Sequence, residues 1–321
     1  MTTQDMIQHS GFDFFRLRRI GVSVILFVLF AIIPAKAQLA FSDSISISLL
    51  TIDPGPNAYE CFGHTALRIN DLKGGSDITF HYGVYNYNEP NFIWHFIEGK
   101  CNYMIGACYT EDFLHEYVRR KLNVTEQVLN LDSAQNAHLA DALITNYLPK
   151  NRNYRYNFFF DNCATRPFDM INKFAPVRYD TTWIQPVTLR DMLHEKTGMG
   201  HWLDFGIALA VAGRADKQAS FREQMFLPSY LCEALKHAQI QGEPLVSKTA
   251  IYHNATESQE DKDAIEIFSP MNIGVILLLV AAILSILDIR REKTSKIWHS
   301  LSKCFDFIWL LATGITGCII W

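Results

Sequence analysis

Polar and apolar residues alternate from Ser42 to Thr51 (SDSISISLLT), the pattern of a half-buried strand, and Asp53-Pro54-Gly55-Pro56 ends it in a loop. His64-Thr65-Ala66-Leu67-Arg68-Ile69 reads as a second strand. The turn-rich Asn70 to Gly75 follows it, and Asp77 to Tyr85 (DITFHYGVY) then pairs back as the other arm of a hairpin. Helical spacing replaces alternation from Glu111 to Arg120, and again from Ser133 to Leu148 behind an N-cap at Asp132 or Ser133. Asn157-Phe158-Phe159-Phe160 is an aromatic, strand-like stretch that runs into a helix through Met170 to Phe174. Cys163 is thereby placed at or near the start of that helix. Phe205 to Ala212 is apolar but too short to span a bilayer, so it is read as a buried helix or a surface that meets lipid. The fold of Gln218 to Ser269 is not legible from pattern.

The ends of the chain carry longer apolar runs. Arg16, Arg18 and Arg19 precede Ile20 to Ile33, and Ala35-Lys36-Ala37 follows as a small-x-small site, so residues 1–37 read as an export signal or an uncleaved anchor. Met271 to Ile289 is long enough for a hydrocarbon core of about 30 Å. Arg290, Arg291, Lys293, Lys296 and Lys303 mark the side beyond it as cytoplasmic. The expected organisation is an exported globular domain over 38–255, a polar linker over 256–270, a membrane helix over 271–289, a basic cytoplasmic loop over 290–304 and a returning helix over 305–321.

A formal net charge of −4 offers no basic surface for phosphate neutralisation, which argues against nucleic acid as a partner. The seven cysteines include no CxxC pair, which removes zinc ribbons and thioredoxin-like redox motifs. Export would permit a Cys101–Cys108 disulfide, although spacing does not settle the pairing. His64, His81, His95 and Glu98 form a loose group without HExxH or other tight ligand spacing, so neither a metal nor any other cofactor is expected.

What remains is nucleophilic chemistry. Asp161, Asn162, Thr165 and Arg166 crowd Cys163 with groups that an inert core cysteine would leave unpaired. A helix start and a neighbouring imidazolium both favour the thiolate. His64 is the candidate base, and either Glu60, four residues upstream, or His81, on the paired strand, is the candidate to orient its ring. Cys61 is a second possible nucleophile, but it lies in a loop without a helix start. The Cys163 N–H is a natural oxyanion donor. Arg166, one turn beyond, either meets a phosphate head group or pairs with Asp161 or Asp169.

With these residues in view, YECFGHTALRI followed far downstream by YNFFFDNCATRPFD resembles the exported domain of the Bacteroidetes-type lipoprotein N-acyltransferases, the Lnb family. The order of histidine first and Asn-Cys helix start later is also similar to the permuted papain-like acyltransferases, although Ala164-Thr165 departs from their pattern. The resemblance implies an α+β fold: a papain-like permuted domain, with a small antiparallel sheet packed on helices, followed by transmembrane helices. It implies a catalytic domain on the periplasmic side of a bacterial inner membrane. There Cys163 takes a fatty acyl chain from a membrane phospholipid as a thioester and passes it to the N-terminal amine of a diacylated lipoprotein. Cys163, His64, Glu60 and His81 would carry the catalysis, with Asn162 and Arg166 at the substrate. The rival readings are a periplasmic cysteine peptidase or amidase acting on cell-wall peptide, and a membrane-anchored binding module.

Overall fold

A computed structural model describes residues 41–58, 60–85, 102–253, 268–290 and 296–320. The expected export signal, His95, Glu98, Cys101 and most of the expected linker lie outside the described residues.

The fold is α+β. Its centre is a seven-stranded sheet in the order β10-β5-β1-β2-β3-β4-β6, every pairing of which is antiparallel. The strands are β1 (Ile45–Ile52), β2 (His64–Asp71), β3 (Asp77–Tyr85), β4 (Asn102–Tyr109), β5 (Val124–Leu129), β6 (Asn153–Arg155) and β10 (Val246–Tyr252). Alternation correctly marks β1 to β3. The small sheet expected from the sequence is larger, because β5 and β10 extend it beyond β1 and β4 and β6 beyond β3. A second sheet of three short strands joins β7 (Val177–Tyr179), β8 (Ala238–Ile240) and β9 (Glu243–Pro244).

One buried ionic group ties the long sheet together. Arg68 on β2 donates to both carboxylate oxygens of Asp77 on β3 and of Glu126 on β5, and Tyr252 of β10 also donates to Glu126. Each buried charge thus has a partner of opposite sign, without which burial would be prohibitive.

The first helix, α1 (Thr110–Arg119), leads into β5. The second, α2 (Ser133–Tyr147), starts at the expected Asp132, whose carboxylate accepts from the Gln135 N–H while the Gln135 side chain returns the bond. The third, α3 (Thr165–Phe174), is followed by α4 (Leu189–Thr197), α5 (Trp202–Val211), α6 (Phe221–Gln224) and α7 (Pro228–Lys236). Leu189, Met192, Leu193, Phe226 and Leu227 of this helical region form a core cluster with Phe159.

The Phe158–Phe160 stretch is not the expected strand. Asn157 and Asp161 bridge to each other, and the Asn157 carbonyl side chain accepts from the N–H groups of Phe159 and Phe160. A tight turn results, from which Phe159 enters the helical core.

Beyond the globular part, α8 (Pro270–Arg290) contains an 18-residue span, Pro270–Leu287, apolar enough to cross a membrane, and none of that span is buried inside the protein. It packs against α9 (Lys296–Ile320). Lys296 and Lys303 therefore sit on a helix rather than in the expected loop.

Candidate active site

His64 opens β2 because the turn before it closes on its own backbone. The Gly63 N–H bonds the Glu60 carbonyl, and Gly63 takes φ +75 with the Ile52 carbonyl oxygen 2.6 Å from where a Cβ would stand. No other residue fits that conformation and that approach. His81 follows on β3, where it pairs with Ala66, and its ring meets that of His64 edge to face with centroids 5.7 Å apart. Gly106 of β4 leaves room for this ring, since a Cβ there would lie 2.9 Å from His81 Nε2.

Cys163 arrives from the other side, two residues ahead of α3. Asn162 fixes it there. Its side-chain oxygen accepts from the N–H groups of Ala164 and Thr165, its amide donates to the carbonyls of Phe158 and Phe226, and its own N–H is taken by the Thr165 hydroxyl. The side chain expected to touch substrate is thus fully occupied and buried, and what it does is set the turn that leads into α3. Arg166 resolves similarly. It forms a two-pronged pair with Asp161 and stacks 3.6 Å above the Tyr154 ring, so its fork points to protein rather than to an open site.

The two halves meet at Thr65 and Gly83. Thr65, next to His64, donates its hydroxyl to the Cys163 carbonyl, and its backbone N–H favours a charge on the Cys163 sulfur. A Cβ on Gly83 would stand 4.0 Å from both Cys163 Cβ and His64 Cε1, so the cysteine and the imidazole face one small space across that glycine. Gly83 itself takes φ +95. Neither Thr65 nor Gly83 is marked in the sequence as chemical. Their roles depend on a strand start meeting a helix start 98 residues later.

Glu60 stands apart from His64. Its carboxylate pairs with Arg120 and accepts from Asn57, and among the described residues no hydrogen bond links it to the imidazole. Cys61 is buried and donates its thiol proton to the Ala58 carbonyl.

The electrostatics differ from the expected thiolate. Burial pushes the Cys163 thiol up to about 11, against the favourable N–H groups of Thr65 and of Cys163 itself. Burial, and then repulsion from His81, lowers His64 to about 3, and burial lowers His81 to about 4. At neutral pH the resting pair is a neutral thiol beside a neutral imidazole. The helix start does not overcome desolvation here. Tyr117, Tyr154 and Tyr156 surround the thiol closely enough for a charge on it to raise each phenol beyond what burial does, so all three stay protonated. The Tyr154 hydroxyl is buried without a hydrogen-bond partner of ordinary geometry.

The arrangement thus brings a neutral thiol and a neutral imidazole to one small space. Comparison with known families agrees on lineage. Residues 36–195 match the model of the Lnb N-terminal periplasmic domain, and residues 260–321 match that of the Lnb transmembrane domain. No curated protein and no solved structure matches the chain.

Proposed function

The chain belongs to the Lnb family, a membrane-anchored protein with its N-terminal domain in the periplasm, and from that premise we propose that it is a cysteine-dependent lipoprotein N-acyltransferase of the inner membrane. The observation that carries the reading is the meeting of Cys163 and His64 across Gly83. The helix start beside a histidine-bearing sheet also supports kinship with papain-like permuted acyltransferases.

In the first half-reaction, the Cys163 sulfur attacks the ester carbonyl of a phospholipid while His64 takes the thiol proton. The carbon–sulfur bond forms and the carbonyl electrons move to oxygen. That oxyanion is met by the Cys163 N–H and by the Tyr154 hydroxyl, donors that bind the developing charge better than the ground-state carbonyl. Collapse breaks the ester carbon–oxygen bond, His64 returns the proton to the leaving glycerol oxygen, and a thioester and a lysophospholipid remain. In the second, the α-amine of a diacylated lipoprotein attacks the thioester and His64 takes a proton from nitrogen. The carbon–sulfur bond then breaks, the thiolate regains that proton, and an amide is left. A neutral imidazole is the required starting form for both halves, which the lowered His64 provides. His81 orients the His64 ring, and Asn162 and Arg166 position the nucleophile rather than the substrate. Phospholipid donor and lipoprotein acceptor both lie in the bilayer that holds α8, so encounter is local.

The test is mass spectrometry of a diacylated lipopeptide incubated with phospholipid vesicles and the full chain. Wild type is expected to add one acyl mass to the α-amine, and Cys163→Ala to lower the rate by at least roughly 10^3-fold, as loss of a nucleophile does. Folded wild type that adds no acyl mass, yet cleaves cell-wall peptide, would replace this reading by the peptidase.

A further inference from the structure

We propose that α5 lies in the interface between membrane and water, docked on the lipid surface beside the root of α8. The helix (WLDFGIALAV) is apolar on nearly all sides, and its one charged residue is the one turned inward. Asp204 is buried, with its Oδ1 held by His194 Nδ1 at 2.5 Å and by the Thr197 hydroxyl at 2.6 Å. Three of its large apolar side chains point the other way. Trp202, Phe205 and Leu209 recur along one face and are 50%, 48% and 40% exposed, and Met199, just before the helix, is 79% exposed. A helix in water ordinarily shows the reverse pattern. A patch of this kind marks a surface that something apolar covers.

The occupant follows from where the patch stands. Trp202 Nε1–H donates to the Phe268 carbonyl at 2.7 Å, two residues before Pro270 opens the membrane span. Phe268 and Met271 are themselves exposed, so Met199, Trp202, Phe205, Phe268 and Met271 continue one apolar surface onto the span. Tryptophan at a span root is the usual occupant of the headgroup level. A short helix with apolar side chains outward and its one acid hidden is suited to lie in that plane. Arg214 and Lys217 follow it, both exposed, residues of the kind that anionic head groups attract.

The consequence reaches the active site. Ile207 and Val211 of α5 pack on the core cluster containing Phe159 and Phe226. Asn162 bonds the Phe226 carbonyl, so the lipid-facing helix and the turn that sets Cys163 share one packing unit.

The experiment uses the full chain in phosphatidylethanolamine–phosphatidylglycerol vesicles doped with a phospholipid whose acyl chain carries a diazirine. After illumination, peptides are mapped by mass spectrometry. Adducts are expected in 199–211 as well as in α8. The double variant Phe205→Glu, Leu209→Glu is expected to lose the former at least fivefold and keep the latter. Adducts confined to α8 and α9 in the wild type would mean that protein or water covers this face, and would overturn the proposal. The wild-type result decides even if the variant folds poorly, and it does not depend on acyl transfer.

Discussion

Two cysteine-bearing turns flank His64, and they differ in how their surroundings answer a charge on sulfur. Cys61, in the turn before β2, and Cys163, in the turn before α3, both have thiols pushed up to about 11 by burial. Resting acidity therefore does not tell them apart. Cys61 donates its thiol hydrogen to the Ala58 carbonyl, an acceptor that stabilises the thiol and opposes its ionisation, and only its own N–H favours the charge. Cys163 faces the N–H groups of Thr65 and of its own residue, and it shares the space over Gly83 with an imidazole that can take the proton. A nucleophile is marked by neighbours that strengthen as charge develops, rather than by charge already present.

The comparison breaks most openly at the base. His64→Ala is expected to slow N-acylation of a diacylated lipopeptide by about 10^2–10^4-fold, the usual worth of a positioned acid–base group, whereas Cys61→Ala should leave the rate within about twofold. A strong loss on Cys61→Ala in folded protein would exchange the roles of the two turns.

How far these turns were legible in the sequence depends on whether local chemistry fixed them. β1 to β3 follow from alternation, and α2 from the Asp132 capping box, because these signals act within a few residues. The Cys163 turn was misread as a strand leading into a helix. Three phenylalanines carry high strand propensity, and the Asn157 side chain overrides it with two bonds to backbone N–H groups. Residue types alone marked Cys163, His64 and His81. Thr65, Gly83, Gly106 and Tyr154 escaped notice because a buried hydroxyl, a missing side chain or an unpaired phenol acquires meaning only when distant segments meet. Asn162 and Arg166 drew attention as polar neighbours of a cysteine; the Arg166–Asp161 pair is one of the two alternatives the sequence offers, whereas the bonds that occupy Asn162 join segments far apart and could not be foreseen.

A smaller effect sharpens the question of what holds His64. In Gly106→Ala the new methyl would press on His81 Nε2 and on Val84 Cγ2, at 2.9 and 2.8 Å, and displace the second histidine without touching the first. If His81 orients His64, kcat should fall by about 10-fold or more while KM holds. Glu60→Gln, which loosens the pair with Arg120, should change kcat by less than about threefold. The reverse ranking would return the orienting role to the carboxylate of the Cys61 turn.

The finest distinction lies in pH. A preformed thiolate–imidazolium pair would be alkylated by iodoacetamide at a nearly constant rate across neutral pH. With Cys163 raised to about 11 and His64 lowered to about 3, the pair is neutral instead. Only the thiolate reacts, so the Cys163 rate should climb about tenfold per pH unit from 6 to 9 without a plateau. Cys61 should show the same slope at a lower absolute rate, because its thiol is bonded to a carbonyl. Thioester formation at Cys163, read as lysophospholipid release and independent of the acceptor amine, should show the opposite tolerance. His64 remains an unprotonated base well below the 6.5 of an ordinary imidazole, so lowering pH from 7 to 5 should not remove base catalysis. The folded state, however, keeps neutral two histidines that protonate freely once unfolded. Their contribution to stability is whole above about 6.5 and is lost as pH falls toward 4 for His81 and 3 for His64. Acid loss of this first half-reaction should therefore track unfolding measured by circular dichroism. A fall in rate near pH 6.5 in protein that is still folded, together with a flat alkylation profile, would show that the Cys163 turn rests as an ion pair and that burial does not govern it.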